Sequence, residues 1–181
     1  MSMFKSGNER KFWLLSLVTV IAIYISAFVS YPIAGFLRER GLIEITFFIG
    51  FILIISTILT FQFKKRPHWQ EIAVWIGIIS VYLMMFVRIE VPEERTHIIE
   101  YSILALFIFE ACSERMKQEK VVWKPALYAL TLTSLLGVID ECIQYMIPNR
   151  MFDIFDILFN IFAAFMAICS IIIIAWIKRK L

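Results

Sequence analysis

Residues 157–177 read ILFNIFAAFMAICSIIIIAWI, an almost unbroken apolar run near the C-terminus of the chain. At a rise of about 1.5 Å per residue, a helix of this length covers about 30 Å, the thickness of the hydrocarbon core of a bilayer. The stretch therefore predicts a membrane-spanning helix. The stretch contains one amide side chain, Asn160, and exposing a polar side chain to lipid at this depth costs free energy.

The composition extends this prediction to the whole chain. Of the 181 residues, 61% are hydrophobic and 18% are charged, and the mean hydropathy is +0.81. A soluble domain of this size could not bury so much apolar surface. The composition also excludes a disordered protein, a disulfide scaffold and a nucleic-acid-binding module, so we expect membrane lipids and no nucleic acid as partners. Cys112, Cys142 and Cys169 lack the spacing of a metal or redox site, so we expect free thiols.

Apolar runs of similar length recur along the chain and predict about six spans. They cover about 12–31, 42–63, 70–89, 98–112, 121–139 and 157–177. The fourth run is short, so its helix can cross only if it begins near Arg95 or Thr96. Residues 142–152 are too apolar for a free loop and too short to cross, which indicates a re-entrant or interfacial segment between spans five and six. We predict an all-α polytopic helix bundle, with residues 1–181 forming one domain.

The distribution of basic residues predicts the orientation. Thirteen of the 18 Lys and Arg residues lie in the two terminal tails and in the loops after spans two and four, and the other five lie in the intervening loops. Because positively charged loops stay in the cytoplasm, both termini are predicted to be cytoplasmic. The basic N-terminal segment resembles that of a signal peptide, but the apolar run after it is long and has no clear cleavage site, so we expect a retained anchor.

Three polar stripes are predicted at the outer ends of the last three spans. Each has helical spacing, so its members share one face. The stripes are His97, Glu100 and Tyr101 on span four, Asp140, Glu141 and Gln144 on span five, and Asp153, Asp156 and Asn160 on span six. Because such groups should face one another rather than lipid, we predict that the stripes line a shared cavity that opens outward. The turn that contains Pro148 places Arg150 beside it.

Several roles are compatible with these residues. His97 is either a hydrogen-bonded interface residue or an acid–base group oriented by Glu100. Glu141 and Asp156 either pair with Arg150 to hold two spans together or act on a ligand. Hydrogen bonding between helices is the expected role of the two amides, Gln144 and Asn160.

These residues resemble the VanZ-like family of small bacterial membrane proteins. The first matching segment is Glu94-x-x-His97-x-x-Glu100-Tyr101-x-x-Leu104. The second is Glu141-x-x-Gln144-x-x-x-Pro148-x-Arg150-x-x-Asp153-x-x-Asp156-x-x-x-Asn160. Three positions depart from the family pattern: Asn149 and Ala163 stand where Gly is usual, and Asp153 stands where a small polar residue is common. The resemblance implies a bacterial cytoplasmic membrane protein with a role in the cell envelope, and the family name is linked to lowered teicoplanin sensitivity. It implies no reaction.

Three functions of different classes follow. The first is binding of an envelope lipid head group, a lipid precursor or an amphiphilic antibiotic such as a lipoglycopeptide, with the acidic walls favouring cationic groups. The second is an intramembrane enzyme in which His97, Glu100 and Glu141 are catalytic and Arg150 binds a phosphate. Its cofactor is unknown, and a divalent metal on the carboxylates is compatible with it. The third is a proton-coupled transporter, against which the one-sided placement of the acids argues. A purely structural bundle is the remaining alternative.

Overall fold

The computed structural model describes residues 4–62, 68–88, 95–119, 121–148, 150 and 152–180, and of residues 31, 54 and 57–62 only the backbone. Within these residues the protein is entirely helical. The helices are α1 (Gly7–Glu39), α2 (Ile43–Gln62), α3 (Trp69–Arg88), α4 (Arg95–Arg115), α5 (Trp123–Tyr145) and α6 (Ile154–Lys180), and a 3₁₀ turn (Lys117–Glu119) follows α4. Glu94 and Asn149, which belong to the motifs quoted above, lie outside the described residues.

Five helices are long and apolar enough to cross a membrane. They are Gly7–Ser30 within α1, and α3, α4, α5 and α6 over their full lengths. The second predicted span corresponds to α2, whose apolar stretch within the described residues is the shorter segment Ile43–Leu53. The prediction of a helical membrane bundle is therefore confirmed. All three cysteines are free.

Helices α1 and α5 extend well beyond the predicted C-terminal ends of their spans. Helix α1 continues through Pro32 to Glu39, because neighbouring groups in a membrane protein can satisfy the backbone that a proline leaves unpaired. Helix α5 continues past residue 139 to Tyr145, because Asp140 and Gln144 have hydrogen-bond partners inside the protein and so need not end the helix. This extension shortens the segment between α5 and α6 from the predicted 142–152 to 146–153.

The helices divide between two compact units. The first comprises Met1–Ser30 and Thr96–Ile171, and the second comprises Tyr31–Arg95 and Ile172–Leu181. Helices α1 and α6 each contribute residues to both units. The prediction of a single domain over residues 1–181 stays a prediction.

The core of the first unit is built around α4. Leu104, Ala105 and Ile108 on this helix are at most 1% exposed, and Ala129 of α5 and Ala163 of α6 are 0% exposed. Small residues at helix contacts let backbones approach closely, which is how helices pack in lipid. The Ser102 hydroxyl donates to the Ala163 carbonyl at 3.3 Å, and the Tyr24 hydroxyl of α1 donates to the Leu136 carbonyl of α5 at 3.3 Å.

The C-terminal end of α4 is tied to the start of α1. The Lys5 ammonium donates to the Arg115 carbonyl at 3.0 Å, and the Arg115 guanidinium pairs with the fully buried Glu9 at 3.1 Å. These contacts bring together two basic segments that the distribution of charge predicts to lie on the same side of the membrane.

The second unit packs α2 against α3. The rings of Phe51 and Phe86 stack with their centroids 4.5 Å apart, and Arg95 pairs with Glu44. The turn between α1 and α2 needs a left-handed residue, which Gly41 supplies with φ 66° at no steric cost.

Candidate functional site

Buried polar side chains of α4, α5 and α6 come together in the first unit, at the end opposite to the Lys5–Arg115 contact. His97, Tyr101 and Asp140 contact one another, Gln144 contacts Asp140, and Asn160 lies on the facing side of α6. We call this set, together with Glu100 and Glu141, the polar cluster. Two helix ends and the first turns of a third supply it, as the three sequence stripes predict.

Asp140 is the centre of the polar cluster. Its side chain is 0% exposed. One oxygen, Oδ2, accepts a hydrogen bond from the Tyr101 hydroxyl at 3.0 Å and another from the Gln144 amide at 3.0 Å. These two donors hold the carboxylate in place, while its other oxygen, Oδ1, is buried and has no hydrogen-bond partner.

His97 lies between two carboxylates. Its Nδ1 atom is 3.7 Å from Glu100 Oε2 and 3.8 Å from Asp140 Oδ2, and its residue exposure is 9%. Both distances exceed a normal hydrogen bond, so the imidazole is near both acids but bonded to neither. The sequence predicts Glu100 as the carboxylate that orients His97, and the structure adds Asp140 at nearly the same distance.

Helix α1 closes the polar cluster with two serines that the sequence analysis did not single out. The Ser26 hydroxyl donates to Glu100 Oε1 at 3.2 Å, and the Ser30 hydroxyl accepts from the Arg150 guanidinium at 3.0 Å. The two serines are four residues apart within an apolar run, and hence on one face of α1. That spacing is the signal that could have found them.

Arg150 is held by neutral groups. Its guanidinium donates to the Gln144 side-chain oxygen and to the Ser30 hydroxyl. Gln144 therefore links Arg150 to Asp140. Its amide donates to Asp140 within α5, and its oxygen accepts from Arg150 in the segment after α5. The predicted role of Gln144 was a hydrogen bond between two spans. The two hydrogen bonds described for Arg150 go to these oxygens, and its pairing with Glu141 or Asp156 stays a prediction.

The Glu141 carboxylate holds the start of α6. It is 1% exposed, and its Oε1 atom accepts the backbone N–H of Asp153 at 2.8 Å. The Asp153 carboxylate is exposed and caps α6 by accepting the N–H of Phe155 at 2.8 Å. The predicted role of Asp153 in binding a ligand stays a prediction, and the structure adds a contact in which its side chain caps the start of α6. Asp156 is half-buried on the first turn of α6.

Gly137 marks the place where three helices meet. A Cβ atom at this position would lie 3.3 Å from Tyr101 Cε1 and 3.4 Å from Asn160 Cβ. The absence of a side chain at Gly137 therefore favours the close approach of α5 to α4 and α6. Gly137 is absent from the predicted site residues, because an isolated glycine in an apolar run carries no polar signal.

The polar cluster contains most of the unpaired polar atoms of the protein interior. In the described part of the chain, seven buried side-chain nitrogen or oxygen atoms have no hydrogen-bond partner, and six of them belong to the cluster. The six are His97 Nδ1, Glu100 Oε2, Asp140 Oδ1, Glu141 Oε2, and both Nδ2 and Oδ1 of Asn160, while the seventh is Thr133 Oγ1. Buried polar atoms are usually paired, so such a concentration is characteristic of a functional site.

The chemistry of these atoms defines what the polar cluster can bind. Three are carboxylate oxygens and one is an amide oxygen, so hydrogen-bond acceptors dominate. They are complementary to a group rich in donors, such as an ammonium or a set of hydroxyls. Among the described residues, no group of three or more His, Cys, Asp or Glu side chains is placed to hold a metal ion. Tyr101 and Asp140 are 0% exposed, so the cluster is closely packed at its centre.

The fold and the cluster define a helical membrane protein with a buried acid–imidazole site at one end. The chain matches the VanZ/LLP1 family model over residues 8–176, and it therefore belongs to that family. The match covers all but a few residues at each end, more than the 93–165 region whose motifs carry the resemblance. Comparisons with curated proteins and with solved structures gave no match.

Proposed function

We propose that this VanZ/LLP1-family protein binds the donor-rich polar head group of an envelope amphiphile in the polar cluster. The amphiphile is a lipid, a lipid precursor or a lipoglycopeptide, and its binding lowers sensitivity to antibiotics such as teicoplanin. The observation that carries this proposal is the set of six unpaired buried polar atoms, four of them acceptor oxygens, in one cluster.

The energetics favour a ligand of this kind. An unpaired buried polar group costs about 1–3 kcal/mol, and more if it is charged. A ligand that donates to Asp140 Oδ1, Glu141 Oε2 and Glu100 Oε2 removes part of that cost on binding. The donors of the head group lose hydrogen bonds to water when they form these contacts. Only the difference between the two sets of interactions appears as binding free energy.

The orientation of the site supports an envelope ligand. The polar cluster lies at the end of α4 remote from Arg115, and the basic segments around Lys5 and Arg115 are predicted to face the cytoplasm. A cluster at the opposite end is thereby predicted to face the outer leaflet, where envelope lipids and lipid-tailed antibiotics are found.

Arg150 is placed to control access to the polar cluster. It belongs to the segment between α5 and α6 and links Gln144 of α5 to Ser30 of α1. An anionic group on the ligand would replace the neutral partners of Arg150, because an ionised acceptor forms a stronger hydrogen bond with the guanidinium than a neutral one does. The acidic cluster and Arg150 together fit a head group with several donors and one negative charge.

The test is binding of a cationic lipoglycopeptide to the purified protein, together with antibiotic susceptibility of cells that produce each variant. Glu141→Gln keeps the shape of the side chain and an oxygen for the Asp153 N–H, but removes the charge. We expect it to weaken binding about tenfold, since a hydrogen bond to a charged group is stronger by about 1–1.5 kcal/mol than a neutral one. The exposed acid Glu39 provides the matched control, and Glu39→Gln should leave binding unchanged.

The second candidate is an intramembrane enzyme, which the position of His97 favours. The imidazole lies 3.7 Å and 3.8 Å from two carboxylates, of which Asp140 is itself fixed by Tyr101 and Gln144. This is an arrangement in which a histidine can accept and return a proton. His97→Ala distinguishes the two functions. Loss of the resistance phenotype with binding intact supports the enzyme, and retention of both supports the binding protein.

A further inference from the structure

The start of α1 carries a basic and apolar surface that the polar cluster does not use. Gly7, Arg10, Lys11, Leu14, Leu15 and Val18 line a groove of about 300 Å³. Their spacing places them on one face of the helix, with the two cations at one end and the three aliphatic side chains along the next two turns. We call this surface the α1 groove.

The cations of the α1 groove are not neutralised by the acid beside them. Glu9 precedes Arg10 in the sequence, but it is fully buried and binds the Arg115 guanidinium at 3.1 Å and the Lys5 backbone N–H at 2.6 Å. Glu9 therefore faces the protein interior, while Arg10 and Lys11 are exposed on the opposite side. Two adjacent positive charges, on Arg10 and Lys11, are therefore exposed on the helix face that points away from the protein.

The apolar part of the α1 groove is equally open. Leu14 is 51% exposed and Val18 is 62% exposed, whereas Ser16 on the other face is 4% exposed. Val18 is two turns along the helix from Arg10. A surface with charges at one end and aliphatic side chains below them matches an amphiphile that has an anionic head and a hydrocarbon chain.

We infer that the α1 groove binds an anionic glycerophospholipid. Arg10 and Lys11 bind the phosphodiester, and one acyl chain lies along Leu14, Leu15 and Val18. Charge complementarity favours this occupant over a zwitterionic lipid, because the groove contains two cations and no acid. This site lies at the end of α1 remote from Ser26 and Ser30, so the inference does not depend on the function proposed for the polar cluster.

The experiment titrates the detergent-solubilised protein with dioleoyl phosphatidylglycerol and measures bound lipid by native mass spectrometry. Each basic residue near an anionic lipid strengthens association by about fivefold, so the double variant Arg10→Gln/Lys11→Gln should bind this lipid about 25-fold more weakly. The matched control is Lys178→Gln/Arg179→Gln, which removes the same charge from exposed positions at the end of α6. It should bind as the wild type does.

Further arms identify the source of the affinity. Dioleoyl phosphatidylcholine should bind weakly and equally to all variants, dihexanoyl phosphatidylglycerol should bind more weakly than the dioleoyl lipid, and soluble glycerol phosphate should not compete. Equal losses in the two double variants, equal affinity for the two head groups, or effective competition by glycerol phosphate would each overturn the inference. If the double variant loses helicity by circular dichroism, Arg10→Gln alone supplies the measurement, with an expected fivefold loss.

Discussion

Replacing Gly137 by Ala tests whether the polar cluster depends on the close approach of three helices. The added methyl group would lie 3.3 Å from Tyr101 Cε1, which is tighter than most carbon contacts, and 3.4 Å from Asn160 Cβ, which is the lower limit of ordinary contact. Tyr101 is 0% exposed and bonded to Asp140, and Asn160 is 1% exposed, so both side chains are held within the packed interior. The methyl group therefore requires the Tyr101 ring or α5 to shift by a few tenths of an ångström.

Two opposing terms set the magnitude. Alanine is favoured over glycine inside a helix by about 0.8–1 kcal/mol, whereas overpacking a filled core costs about 1–3 kcal/mol. Because the neighbours of Gly137 are fixed, we expect the upper part of that cost and a net loss of about 1–2 kcal/mol in the free energy of unfolding. Binding of the head group should weaken with it, since Tyr101 no longer positions Asp140.

The assay is reversible unfolding in mixed micelles, followed by far-ultraviolet circular dichroism. Gly77→Ala in α3 is the control, because no described heavy atom lies within 4 Å of a Cβ at that position. This variant should be as stable as the wild type or more stable. A Gly137→Ala protein at least as stable as Gly77→Ala, with unchanged binding, would refute the close packing of α4, α5 and α6 around Gly137.

Three further substitutions test separate contacts. Tyr101→Phe keeps the ring but removes the donor to Asp140, and it should lower the free energy of unfolding by about 0.5–2 kcal/mol in the same assay; unchanged stability would contradict the hydrogen bond. Ser30→Ala removes one of the partners of Arg150, so hydrogen–deuterium exchange should rise in residues 150–155, whereas Ser16→Ala, whose hydroxyl bonds within its own helix, should leave it unchanged. Glu9→Gln weakens the pair with the half-exposed Arg115, and we expect a loss of about 1–2 kcal/mol that Glu39→Gln does not cause; equal losses would show a general effect of charge.

The sequence predicted the helices and the composition of the site because both have strong physical signals. Apolar runs of about 20 residues are costly to place in water, so they mark the spans. Acids and an imidazole within such runs are costly to expose to lipid, so their helical spacing indicates that they face one another. Helix α4 includes Arg95 and Thr96, as the predicted fourth span requires in order to be long enough to cross.

The contacts that close the site were beyond the sequence because their signals are weak or non-local. The spacing of Ser26 and Ser30 marks one face of α1, but serine is neutral and common in membrane helices, so the sequence does not pair this face with Glu100 and Arg150. The role of Gly137 in packing is visible only in the structure, where the side chains of Tyr101 and Asn160 approach it closely. The contact between Gln144 and Arg150 was not predicted, because it depends on the continuation of α5 to Tyr145, which brings Gln144 beside Arg150.

The most direct test of the polar cluster as a head-group site is to identify what co-purifies with the protein from native membranes. Mass spectrometry of the bound amphiphiles should show one species enriched on the wild type and on Glu39→Gln, and depleted about tenfold on Glu141→Gln. That species should carry ammonium or hydroxyl donors in its head group. An identical lipid profile on all three proteins would contradict the proposed binding function.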